Sequence, residues 1–193
     1  QSASLARSVV LASPSCCCRA ALASAKVEEE KDINNQQREI YLPGRSDRGV
    51  HAIEQVSNFV IDSKIPLEAI KRQINKCLKG EVKVLEVEEA GKDFNARFDA
   101  KSRTYLYIMR NEEDITPFEA NYVTGLRASV NVEKFQEIMN DFVGKYDFSS
   151  FMKKDKAYRN PVREIVYIKC YYDEKIGQKQ LNVEICGNGF LKT

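Results

Sequence analysis

One carboxylate set between two guanidiniums is the strongest chemical feature of this chain. In Gly44-Arg45-Ser46-Asp47-Arg48-Gly49-Val50-His51-Ala52, the cations Arg45 and Arg48 favour the ionised form of Asp47. The bracketing glycines permit positive φ and close backbone approach of a ligand. A carboxylate kept charged can attack an electrophilic carbon. The competing explanation for any Arg-x-Asp-Arg is an exposed turn with a weak ion pair. His51 is the only histidine of the chain, and a hydrogen-bonded structural imidazole is a commoner role for such a residue than acid-base chemistry. No catalytic role is assigned to it.

Three further segments carry side chains of interest. Phe94-Asn95-Ala96-Arg97-Phe98-Asp99-Ala100-Lys101-Ser102-Arg103-Thr104-Tyr105 mixes rings with cations. Aromatic and guanidinium planes stack on unpaired bases, and cations meet phosphates; a buried strand with a solvated basic edge would use the same residues. Gly144-Lys145-Tyr146-Asp147-Phe148-Ser149-Ser150-Phe151 reads best as a helix C-cap at Gly144 with Phe148 and Phe151 plugging the core, ahead of a substrate-facing loop. Gly187-Asn188-Gly189-Phe190-Leu191 places glycines at a strand end, where a backbone can approach a ligand against an apolar wall of Phe190 and Leu191. Arg163, after Arg159-Asn160-Pro161-Val162, suits either an RNA phosphate or a surface ion pair.

Taken in order, these segments resemble the TruA-type tRNA pseudouridine synthases. The family's first motif is usually Gly-Arg-Thr-Asp-x-Gly-Val-His-Ala, and Ser46 keeps the hydroxyl of its Thr. Its Phe-x-Ala-Arg-Phe segment followed by Arg-x-Tyr-x-Tyr matches Phe94 to Tyr107, its Gly-x-His-Asp-Phe-x-x-Phe matches Gly144 to Phe151 with Tyr146 for the His, and its Gly-x-Gly-Phe-Leu matches Gly187 to Leu191. The resemblance implies isomerisation of a uridine in tRNA to pseudouridine, with Asp47 as nucleophile. Arg45 would fill the space left by a flipped base or hold a phosphate, and Tyr105 would stack on that base. Arg48 and Leu191 would also contact substrate, and Arg97, Lys101 and Arg103 join Arg48 in tracking phosphates. No cofactor and no metal are implied. A homodimer is.

The resemblance runs from about Gly44 to Leu191. The family's opening strand, with Tyr-Asp-Gly-Thr and Gly-Trp-Gln, finds no match in residues 1–43, and the chain has no tryptophan. After Leu191 the family continues into Met-Val-Arg, whose Arg pairs with the catalytic Asp; Lys192 stands at the wrong offset to replace it. The expectation is a partial catalytic domain, with a noncatalytic RNA-binding paralogue or an inactive fragment as the alternative. A sheet lacking its central strand would leave backbone groups and apolar surface exposed.

Periodicity sets out the elements that must position these residues. Glu39–Leu42 is a short strand candidate before the Asp47 turn, and Glu54–Ile61 a strand after it. Pro66 opens an amphipathic helix carrying Leu67, Ile70, Ile74 and Leu78, with Gly80 as its stop. Val82–Val87 and Ser102–Met109 are strands, with Tyr105 and Tyr107 on one face of the second. Asn131 caps a helix through Phe142 whose stripe is Phe135, Ile138, Met139 and Phe142. Arg163–Tyr172 and Gln180–Cys186 alternate as an antiparallel pair joined by a loop containing Lys175 to Gln178. The fold class is α+β, a mixed, mainly antiparallel sheet with helices packed on one face. There is no internal repeat.

Length, charge and composition bound the remainder. The chain has 193 residues, 43% of them hydrophobic, enough for one sizeable domain. A net charge of +2 does not announce a nucleic-acid binder, so local clusters must do so. No apolar run approaches the roughly 18 to 20 residues needed to cross a bilayer. The cysteines, adjacent at 16–18 and single at 77, 170 and 186, give neither a disulfide framework nor a zinc spacing. A reducing compartment follows, with the single cysteines as small buried hydrophobes. Residues 1–26 are rich in Ser and Ala, with Arg7, Arg19 and Lys26 and no acid. They suit a mitochondrial or plastid transit peptide or a low-complexity tail without targeting role, in which case the setting is nuclear or cytoplasmic. Residues 1–37 are therefore expected to be a disordered or targeting-like extension and linker, and 38–193 the catalytic part.

Overall fold

The structure is a computed structural model that describes residues 5–13, 40–42, 50–61, 65–152, 160–175 and 177–191. It divides into two units, Gln1–Ala100 and Lys101–Thr193. Among the described residues the strands form a three-stranded and a five-stranded sheet. Their neighbouring strands pair antiparallel except for one parallel pair, which bears out the α+β, mainly antiparallel class. The strands divide between two sheets instead of joining one.

In the first unit, β1 (Leu5–Ser13), β2 (Ala52–Ile61) and β3 (Lys83–Ala90) pair antiparallel, with β1 in the middle. Leu5–Ser13, within the stretch 1–37 read above as an extension and linker, is thus the middle strand of this sheet. Val9 faces Ser57 on one side and Val87 on the other. The consecutive Val9, Val10 and Leu11 suit a strand, but a Ser- and Ala-rich surround masks that signal. Helix α1 (Leu67–Cys77) begins after Pro66, whose missing N–H costs nothing there, and the chain leaves it through Gly80 at φ 90°. Leu78, Val82, Val84 and Val87 are buried together, with Ile40, Phe59, Leu67 and Ile74 packed against them. Cys77, expected inside, is exposed, because it falls on the outer face of α1.

In the second unit β4 (Arg103–Asn111), β5 (Thr124–Leu126), β6 (Gly144–Asp147), β7 (Val162–Lys175) and β8 (Gln178–Gly187) form the five-stranded sheet. Helix α2 (Val132–Asn140) starts at Asn131, whose side chain accepts from the Lys134 N–H at 3.0 Å. Phe135, Met139 and Phe142 pack onto the core of Ile168, Leu181 and Val183. Ile138, expected in that stripe, is 60% exposed, since an apolar stripe wider than the contact with β7 leaves one flank outward. The β7–β8 hairpin is tighter than expected, with Lys175 opposite Gln178 and Gly177 at φ 71° in the turn. Gly144 is not a helix cap: it opens β6 at φ 129°. Phe151 does not plug the core. It is 60% exposed and meets Phe142 and Phe148 at ring distances of 6.0 and 6.2 Å.

Buried Arg110 is held in this unit by several acceptors. Arg110, 4% exposed, donates to Glu119 at 2.9 Å, to Gln180 at 3.1 Å and to Gln178. Gln180 donates on to Asn182 at 3.1 Å. A guanidinium this deep needs such partners, and the network ties the segment after β4 to the start of β8.

Candidate active site

Asp47, Arg45 and Arg48 lie in 43–49, outside the described residues, so the site is built from what brackets them. On the entering side Ile40 packs on the core of the first unit. Tyr41 donates to the Asn58 carbonyl at 2.9 Å and accepts from the Asn58 N–H at 3.1 Å. This bridge is isolated, so the expected strand at 39–42 is reduced to a single pairing. On the leaving side His51 is half-buried and β2 begins at Ala52. Both ends of the Asp47 loop are therefore fixed to one strand.

The middle of that strand also fixes the Phe94–Asp99 turn. Asn58 is 3% exposed; its side chain donates to the Phe94 carbonyl at 3.0 Å and accepts from the Ala96 N–H at 2.8 Å. Asn95 and Asp99 tighten the turn, Asp99 accepting from the Asn95 N–H at 2.8 Å and Asn95 from the Arg97 N–H at 3.0 Å. Sequence reading did not single out Asn58. The available signal was its type: Asn is depleted in strand interiors, and one there needs local partners.

The second unit gathers the other site residues at one sheet end. Tyr105 sits on β4 opposite Ile185 and meets the edge of Phe190 at 4.8 Å and 86°, a favourable T-shaped geometry. Leu191 follows directly and is half-buried. The Asn188 N–H donates to the Glu164 carbonyl at 3.0 Å, and the Asn188 side chain accepts from the Glu164 N–H at 3.1 Å. A Cβ on Gly187 would stand 2.9 Å from that same carbonyl. The glycine of this motif is thus demanded by close backbone approach. Arg103 donates to the Asn188 carbonyl at 3.4 Å, while Arg163 donates to the carbonyls of Asn160 at 2.9 Å and Val162 at 2.7 Å. Arg163 is thereby folded onto its own backbone. A Cβ on Gly189 would stand 3.5 Å from the Arg163 Nε and 4.0 Å from an Arg103 guanidinium nitrogen, so positive charge lines the strand end beside the Tyr105–Phe190 pair.

The sequence matches known proteins. A family model for tRNA pseudouridine synthase matches residues 16–99 and 138–193. The chain belongs to the tRNA pseudouridine synthase family. It is 35% identical over 160 residues to tRNA pseudouridine synthase A 2 of Bacillus anthracis, covering 83% of the chain and 64% of that protein. It is 36% identical over 152 residues to tRNA pseudouridine synthase A of Limosilactobacillus fermentum, covering 79% and 58%. With tRNA pseudouridine synthase A of Caldicellulosiruptor bescii it shares 30% over 164 residues, covering 85% and 66%. The chain thus spans 64% of the length of the first of these relatives. The family match takes in Asp47, Arg45, Arg48 and Leu191 and begins upstream of Gly44, while Tyr105 falls between its two stretches.

Among the described residues no group of His, Cys, Asp and Glu is placed to hold a metal ion, and no helix is long and apolar enough to cross a membrane. Hydrogen bonding to Glu184 raises the Tyr167 phenol above its ordinary value, and burial raises the Cys170 thiol. Both groups are kept protonated and unreactive at neutral pH.

Proposed function

We propose that this chain carries the catalytic part of an enzyme that isomerises a uridine of transfer RNA to pseudouridine. The observation that carries this reading is the family match on either side of β4, with the Gly44–Ala52 motif inside it. Asp47 is the nucleophile, kept ionised by Arg45 and Arg48. The target base leaves the stack, at a cost of a few kcal/mol, and Arg45 occupies the vacated space or holds a phosphate. Tyr105 stacks on the flipped base, with Phe190 bracing the ring from its edge and Leu191 as the apolar wall beyond. Asp47 forms a transient bond, either to the ribose C1′ as the N1 glycosidic bond breaks or to the base, and that bond is released once the base has rejoined the ribose through C5. The proton on C5 leaves and N1 gains one, so no electrons are exchanged and no cofactor is required. Arg48, Lys101 and Arg103 follow the phosphates. The enzyme acts as a homodimer.

The test is conversion of uridine in unmodified transfer RNA by the purified chain, beside Asp47→Ala, with folding and RNA binding of both verified. The expected result is conversion by the unsubstituted chain and a loss of at least about a thousandfold in the variant, as for a removed nucleophile. RNA binding by both chains with conversion by neither would overturn the catalytic assignment and leave an RNA-binding protein.

A further inference from the structure

Phe98 is 76% exposed, which leaves the face of a large apolar ring open to a partner. Its surroundings are not those of a loose loop. The Phe98 N–H donates to the Asn95 carbonyl at 3.0 Å, and the Asp99 N–H to the same carbonyl at 2.9 Å. Asn58, Asn95 and Asp99 hold the remaining turn groups through the side-chain bonds described above. The Arg97 guanidinium lies 5.6 Å from the centre of the Phe98 ring, a cation–π distance. A rigid turn therefore presents an uncovered ring with a cation beside it.

Rigidity matters because a ring already fixed in place loses little freedom when a flat partner settles on it. Unpaired nucleobases are flat, they stack on aromatic faces whatever their identity, and a neighbouring cation meets the phosphate that accompanies them. An apolar protein surface is a poorer fit, since exposed Arg97 and Asp99 flank the ring and would have to be desolvated.

Resting on the tRNA reading above, we propose that the Arg97–Phe98 turn is a stacking contact for an unpaired base of the RNA, apart from the base that reacts. Phe98 supplies the face and Arg97 the charge. Because the chain has no tryptophan, Phe98→Trp introduces a single fluorescent reporter that keeps an aromatic face. The experiment titrates unmodified transfer RNA into the unsubstituted chain, Phe98→Ala and Phe98→Trp at fixed salt, following binding in all three and indole emission in the last. Phe98→Ala should bind between about 5-fold and about 150-fold more weakly, the range for one lost base stack. Phe98→Trp should bind as the unsubstituted chain does, with its emission quenched at saturation.

Equal binding by Phe98→Ala and the unsubstituted chain overturns the contact while the tRNA reading stands. Weakened binding by Phe98→Ala without quenching in Phe98→Trp also overturns it, since the ring then serves the fold and not the RNA. A failure of the unsubstituted chain to bind transfer RNA removes the parent reading and the contact together.

Discussion

Glu119 bears on stability more than its partly exposed position suggests. The Thr116 hydroxyl donates to one of its oxygens at 2.8 Å and buried Arg110 to the other at 2.9 Å. These two bonds, Thr116 first, hold its carboxyl below the usual carboxylate range. The native protein therefore binds this proton less readily than the unfolded chain does. Stability from the pair is complete above the ordinary carboxylate value and is lost as pH falls through the lowered native value. Glu119→Gln should melt below the unsubstituted chain at pH 7, and the two melting temperatures should converge as pH falls towards 3. Parallel curves across that range would show that the carboxylate charge contributes nothing. Arg110 explains why the deficit at neutral pH is expected: the guanidinium stays buried and charged whether or not its partner does.

At the scale of elements, amide side chains complete the strands where the sheets end. β3 is an outer strand, and Asn75 of α1 both donates to the Val84 carbonyl at 3.0 Å and accepts from the Val84 N–H at 2.6 Å. Gln136 of α2 does the same for β7 beyond the reach of β6, donating to Ile168 at 3.0 Å and accepting from the Cys170 N–H at 2.6 Å. Each helix thus caps a free strand edge that would otherwise offer itself to another chain. β1 needs no such device, having a strand on either side, so a lost N–H there breaks a ladder bond inside the sheet. Val9→Pro should unfold the three-stranded sheet, at a cost of about 3 kcal/mol or more, with hydrogen exchange accelerating in β2 and β3. Unchanged exchange there would return residues 5–13 to the status of an extension. The strand escaped sequence reading because its neighbours in sequence have the composition of a leader, and middle-strand pairing is a non-local property. Helices α1 and α2 were legible from apolar spacing and from Pro66 and Asn131, since those signals are local. β5 and β6 were not, being three and four residues long and too short for alternation to register.

For the whole molecule, the charged motif stands out in the sequence more plainly than the architecture does. Asp47 and its arginines stand out because charges of opposite sign are bracketed by glycines within a few positions. What the sequence hides is that Asn58 ties both the entrance to that loop and the Phe94–Asp99 turn to one strand, across separations no local pattern spans. A net charge of +2 gives little general attraction to RNA, so on the proposed function affinity rests on a few cations: Arg45, Arg48, Arg97, Lys101 and Arg103. Counterion release then sets a measurable limit. If about five phosphates are neutralised, log Kd for transfer RNA should change with log salt at a slope of about 4 in magnitude. Raising potassium chloride from about 50 to about 200 mM should weaken binding on the order of a hundredfold. Arg103→Gln should lower the slope by about one. A slope near zero in the unsubstituted chain would mean that binding is carried by stacking and shape, and would remove the phosphate role from these five residues together.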